Sequence, residues 1–166
     1  MTETLEFSRP LRVSGVPRAG HRLALAASPA ECQALAQRLG LLALHAFSAD
    51  LALEPDGMGG ARATGGLMAE VEQACVVTME PVRQSVREEI AFHIIPEGQE
   101  PSESPDAEDE VETVGGYAEL GEVLAQLLSL ALDPYPRREG AELPPEATDP
   151  SDSPFGALLH LRKGRE

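Results

Sequence analysis

Between residues 42 and 95 apolar side chains recur at every second position, and a chain patterned this way can bury one side only as extended strand. Residues 42–53 form one such run, followed by the turn Glu54-Pro55-Asp56-Gly57-Met58-Gly59-Gly60. A longer run, 61–79, places Leu67, Ala69, Val71, Cys75, Val77 and Met79 on one face and Glu70, Glu72, Thr78 and Glu80 on the other. Gly65-Gly66 within it marks either a bulge or a bend. Glu80-Pro81 breaks the run, and Val82, Val86, Ile90, Phe92 and Ile94 resume it. The pattern predicts two antiparallel strands joined near residues 79–82.

Two shorter strand candidates, residues 5–13 and 21–26, open the chain around Gly15-Val16-Pro17-Arg18-Ala19-Gly20. A helix then starts at Ser28, with Pro29 at its first position and Glu31 completing a capping box. Cys32, Leu35 and Leu39 share its buried face, which makes Cys32 a small buried hydrophobe, and Gly40 ends it. A second helix is predicted over residues 117–132, apolar on most sides, with Asp133-Pro134 as its stop. The expected fold is one 1–166 domain of the α+β class: a mostly antiparallel sheet with two packed helices. A flexible, disordered acidic loop over about 96–112 hangs from one end, with residues 111–114 as a further short strand candidate. An extended tail runs from about 139 to 166, in which Phe155, Leu158, Leu159 and Leu161 make a terminal helical turn that docks back.

The net charge of −15 is unevenly distributed. Residues 1–40 carry five arginines against three acids, whereas residues 96–152 carry 16 acids against Arg137 and Arg138. The chain ends with Arg162, Lys163 and Arg165 against Glu166. Such a field repels nucleic acid at long range and attracts basic proteins. The most apolar stretch, 120–132, is too short to span a bilayer, and the N-terminus lacks the basic start and apolar run of a signal peptide, so no membrane role is expected. Two cysteines cannot make a disulfide framework, which fits a reducing cytoplasm.

Catalytic and metal chemistry find little support. His21, His45, His93 and His160 are scattered without ligand spacing, no Gly-x-Ser-x-Gly turn occurs, and Gly57-Met58-Gly59-Gly60 lacks the lysine of a phosphate loop. Nor does any segment have the calcium-loop spacing. The expectation is no enzyme, no cofactor and no metal.

Three segments carry a more particular signal: Cys75-Val76-Val77-Thr78-Met79-Glu80-Pro81-Val82, then Leu130-Ala131-Leu132-Asp133-Pro134-Tyr135-Pro136-Arg137, then Ser153-Pro154-Phe155-Gly156-Ala157-Leu158. In this order, with Glu6-Phe7-Ser8-Arg9-Pro10 at the start, the chain resembles the YceD family of large ribosomal RNA subunit accumulation proteins, in its alphaproteobacterial branch. The resemblance implies a non-enzymatic factor for 23S ribosomal RNA accumulation. The motif positions it implies are Cys75, Thr78, Glu80, Pro81, Asp133, Pro134, Tyr135, Pro136, Arg137, Pro154 and Phe155. Some relatives carry Cys-x-x-Cys at the hairpin, which implies a metal or redox site there; this chain has Thr78 in place of the second cysteine.

The expected partner is a ribosomal protein or pre-ribosomal particle, with ribosomal RNA as the alternative. Arg9, Arg137, Arg162 and Lys163 are the candidate contacts. Tyr135 is either a surface contact or a turn residue packed on the sheet. Two other readings stay open, a small-molecule hydrolase with a site near His45 or His93, and an antitoxin-like sequestering protein.

Overall fold

The computed structural model describes residues 5–102, 104 and 108–143. Along the chain come β1 (Pro10–Arg12), a 3-10 turn (Val13–Gly15), β2 (His21–Ala26), α1 (Pro29–Leu39), β3 (Ala43–Pro55), β4 (Ala61–Ala74), β5 (Pro81–Ile95), β6 (Asp109–Glu112), β7 (Tyr117–Glu119) and α2 (Leu120–Ala131). One five-stranded sheet has the order β2-β3-β4-β5-β6, and β1 and β7 form a separate two-stranded ribbon. All pairings are antiparallel except β5 with β6, so the fold is α+β on a mostly antiparallel sheet.

The period-two pattern lands where it points. Phe47, Ala49, Leu51 and Leu53 of β3, Ala63, Leu67, Ala69 and Val71 of β4, and Ile90, Phe92 and Ile94 of β5 line one face of the sheet. Against them pack Cys32, Leu35 and Ala36 of α1 and Leu120, Leu124 and Leu128 of α2. α1 begins as its cap residues dictate: the Ser28 hydroxyl accepts from the Glu31 N–H, and the Glu31 carboxylate accepts from the Ser28 N–H. Gly40 ends it in the left-handed conformation. The two helices are tied by Arg38, whose guanidinium donates to both oxygens of Glu122 at 2.7 and 2.6 Å and to Glu6.

Several boundaries differ from expectation, each for a local reason. The opening strand is confined to Pro10–Arg12, because Phe7 leaves the extended path to place its ring 5.4 Å from that of Phe47. The strand expected over 61–79 ends at Ala74, where Cys75 starts a turn, so Val77 and Met79 do not continue its buried face. The second helix starts at Leu120 instead of 117. Gly115 and Gly116 turn the chain with positive φ, Tyr117–Glu119 pairs with β1, and the Glu119 carboxylate caps α2 through the Gly121 N–H. Gly65-Gly66 holds no bulge; the register shift lies between Leu44 and Ala46.

The acidic stretch expected as a loop through 112 becomes strand at Asp109. There β6 runs parallel to Phe92–Ile95, with Val111 packed against the core and the Thr113 hydroxyl donating to the Ile95 carbonyl. Backbone pairing with an open sheet edge outweighs the repulsion of solvated carboxylates, which water and salt screen.

Arg9 closes the N-terminal corner. Its guanidinium donates to both Glu31 oxygens at 2.7 and 3.0 Å and to the Ala26 carbonyl, and stands 4.3 Å from the centre of the Phe7 ring. The Arg9 hydrogen bond, with the Ser28 N–H, holds the Glu31 carboxyl at about 2, below its unfolded value of 4.5. Glu31 therefore adds stability that is fully present above pH 4.5 and is lost as pH falls through about 2. Both groups are partly exposed, so Glu31→Gln is expected to lower Tm at pH 7 by only about 2–4 °C. The difference from wild type should shrink toward pH 2 in acid melts followed by circular dichroism.

Candidate functional site

The residues of two sequence motifs, some 55 positions apart, meet at the end of the sheet where β4 turns into β5. The turn is closed twice by backbone bonds: Cys75 donates to the Glu80 carbonyl at 2.8 Å, and Met79 donates to the Cys75 carbonyl at 2.9 Å. Met79 sits at its tip with φ of 61°, the one non-glycine residue with positive φ among the described residues. The chain leaving α2 lies against this turn. Leu132 caps the helix in extended conformation, Pro134 disfavours a helical Asp133 beyond it, and the Asp133 carboxylate accepts from the Tyr135 N–H at 2.9 Å. The Gln73 side-chain amide donates to the Asp133 carbonyl, and Val76 donates to the Pro136 carbonyl at 2.9 Å.

At the centre lies Cys75, whose side chain is fully buried. Its Sγ accepts from the backbone N–H groups of Val77 at 3.4 Å, Thr78 at 3.5 Å and Arg138 at 3.3 Å. The Arg138 N–H contributes most, with Thr78 next, and together they lower the thiol pKa from 9.0 to about 6. The Arg138 guanidinium pairs with the Glu80 carboxylate, holding that carboxyl below its ordinary range. Cys75 is thus the hub of a tie that fastens the segment after α2 onto the β4–β5 turn.

Several expected residues find their places here. Cys75, Thr78, Glu80, Pro81, Asp133, Pro134, Tyr135 and Pro136 all lie in the two tied segments. Pro136 is buried, whereas Tyr135 is 72% exposed and does not pack on the sheet. Arg137 is exposed beside it. Arg138 and Gln73 carry the tie without having been singled out from sequence. Two adjacent arginines are alike in sequence, and only the backbone path decides which one reaches the sulfur and Glu80. Pro154, Phe155, Arg162 and Lys163 lie outside the described residues.

A metal at this turn does not fit the residues present. The sulfur is already an acceptor for three N–H groups, Thr78 stands where a second thiolate would be needed, and among the described residues no three His, Cys, Asp or Glu side chains converge. Cys32 is also buried and unpaired, in the core beneath α1.

A shallow cleft beside His93 is lined by Glu54, Pro55, Asp56, Arg62, Glu108 and Glu110. Asp56 spends one oxygen on the Met58 and Gly60 N–H groups and the other on His93 Nε2 at 2.9 Å, which closes the β3–β4 turn. Among the described residues no hydroxyl or thiol nucleophile lines this cleft. His45 pairs with Glu72 at 2.8 Å on the surface. Around β6 the carboxylates of Glu97, Glu100, Glu108, Asp109, Glu110 and Glu112 gather, and residues 96–116 contain no Lys, Arg or His. Arg62, paired with Glu108, and the His93 imidazole lie beside them. No helix of the described residues is long and apolar enough to cross a membrane.

Fold and site together define an α+β protein in which a buried thiol ties a strand turn to the segment after the last described helix, with a strongly acidic strip along one sheet edge. The chain belongs to the YceD family: the family model described as Large ribosomal RNA subunit accumulation protein YceD matches residues 63–157, from β4 through the tie and beyond the described residues. No curated protein and no solved structure matches the chain.

Proposed function

We propose that this chain is a non-enzymatic binding factor that supports 23S ribosomal RNA accumulation and large-subunit biogenesis in the cytoplasm, by engaging a basic ribosomal protein. Membership of the YceD family supports the ribosomal role. The observation that carries the choice of partner is the acidic strip along β6, where the described residues from Glu97 to Glu112 carry six carboxylates and no Lys, Arg or His. A strip of this sign attracts lysine- and arginine-rich protein and repels phosphate. Of the candidate cationic contacts, Arg137 is exposed and pairs with no carboxylate among the described residues, whereas Arg9 is engaged with Glu31, Phe7 and Ala26.

Depletion of the protein followed by sucrose-gradient profiling tests the ribosomal role; unchanged large-subunit and 23S levels would overturn it. Pull-down from RNase-treated lysate tests the partner. Glu110→Lys with Glu112→Lys is expected to reduce capture of basic ribosomal proteins about tenfold or more, and capture by the native chain should weaken as salt is raised. Capture abolished by RNase and unaffected by the charge reversals would favour RNA instead.

A further inference from the structure

We propose that the apolar stretch in residues 155–161 of this same chain covers the exposed apolar cluster carried by the cysteine tie. The cluster comprises Met79 and Tyr135, each 72% exposed, and Val76, 46% exposed, all on the two segments that the tie holds together. Large apolar side chains grouped on fixed backbone mark a surface with an occupant. Met79 strengthens the case, because a bulky residue held at φ of 61° is uncommon and the tight turn keeps its side chain presented.

The choice of occupant follows from where the chain goes. After Arg138, held to Cys75 by its N–H, the backbone turns through the Ala141 N–H to Arg138 carbonyl bond, and the described chain ends at half-exposed Leu143, five residues beyond the tie. Residues 144–154 span at most roughly 40 Å, ample to bring residue 155 back to the tie. Phe155, Leu158, Leu159 and Leu161 then offer apolar side chains at helical spacing. The basic end that follows, Arg162, Lys163 and Arg165, complements Glu72, Glu80, Asp133, Glu139 and Glu142 around and after the tie. The family match spans residues 63–157, so the same span takes in Val76, Met79, Tyr135 and the start of the covering stretch.

The test uses the full chain with Leu158→Cys carrying a nitroxide label; Cys32 and Cys75 are buried, which directs the label to position 158. Paramagnetic broadening is expected at the amides of Val76, Thr78 and Tyr135, and Tyr135→Ala should diminish it. In the unlabelled chain, Phe155→Ala with Leu158→Ala should speed amide exchange at Val76 and Thr78 about tenfold. Absence of broadening would overturn the inference. Broadening seen only in a mixture of labelled and unlabelled copies would assign the surface to a second copy. Exchange unchanged by the double substitution would leave it to an external partner, and the inference would fall.

Discussion

Gly65→Ala is expected to cost about 3 kcal/mol and to lower Tm by about 10 °C, with a broadened or split transition. A methyl group at Gly65 would stand 1.9 Å from the Asp50 carbonyl oxygen and 2.9 Å from its carbon, so it meets backbone, not a side chain able to swing away. Gly65 pairs with Leu51 of β3 on one side and Ile90 of β5 on the other, and movement to relieve the clash would spoil both ladders. Gly66→Ala is the control. Its nearest contact is the Glu88 carbonyl at 3.9 Å and its φ is not positive, so the change should stay within about 0.5 kcal/mol of wild type. Denaturant melts of the two variants measure the difference directly; equal stabilities would contradict the close approach of β3 and β4.

Cys75→Ala is expected to produce the second large effect, a fall in Tm of roughly 5–10 °C at pH 8. The substitution leaves the N–H groups of Val77, Thr78 and Arg138 without their acceptor at a fully buried site. Amide exchange should rise at residues 76–79 and 135–138 together, because both segments are anchored to one atom. The pH dependence distinguishes this from a simple packing loss. The folded state holds the thiolate better than the unfolded chain does, so the charge contribution is fully present above pH 9 and is lost as pH falls through about 6. The gap between wild type and Cys75→Ala should therefore widen from pH 6 to pH 9. A gap independent of pH would show that the thiol is protonated and acts through packing alone.

Much of this fold was legible in the sequence because its signals are local. The capping box at Ser28 and Glu31, the left-handed Gly40 and the stop at Asp133-Pro134 are decided by side chains bonding to backbone within a few residues. Alternation along β3, β4 and β5 reports which face is buried, since a strand has no other way to segregate its apolar residues. The site was legible only in part. The order of the Cys75 and Asp133-Pro134 motifs marked both segments as special, yet nothing in either shows that one rests on the other or that Arg138 makes the junction.

The misplaced boundaries have a common origin. Ala61 to Ala74 and the turn after it look alike by period, because Cys75, Val77 and Met79 keep the alternation after the backbone has left the sheet. Likewise Tyr117–Glu119 carries helical spacing into α2 but is claimed by β1, and Asp109–Glu112 lies in a stretch whose charge argues for solvent but is claimed by the edge of β5. In each case a partner distant in sequence supplies or withholds the hydrogen bonds.

By itself, then, the sequence determined the α+β class, the strands that form the sheet, the helix that begins at Ser28, the acidic stretch and the family. These follow from period, capping and composition, which act over a few residues. Only the tertiary structure decided that Cys75 is a hub for three backbone donors instead of half of a metal pair, and that Gly65 is a point of backbone contact. It also decided that Tyr135 and Met79 face outward. Those outcomes depend on atoms brought together from positions as far apart as Cys75 and Arg138, and pairwise geometry of that kind is written in no local pattern.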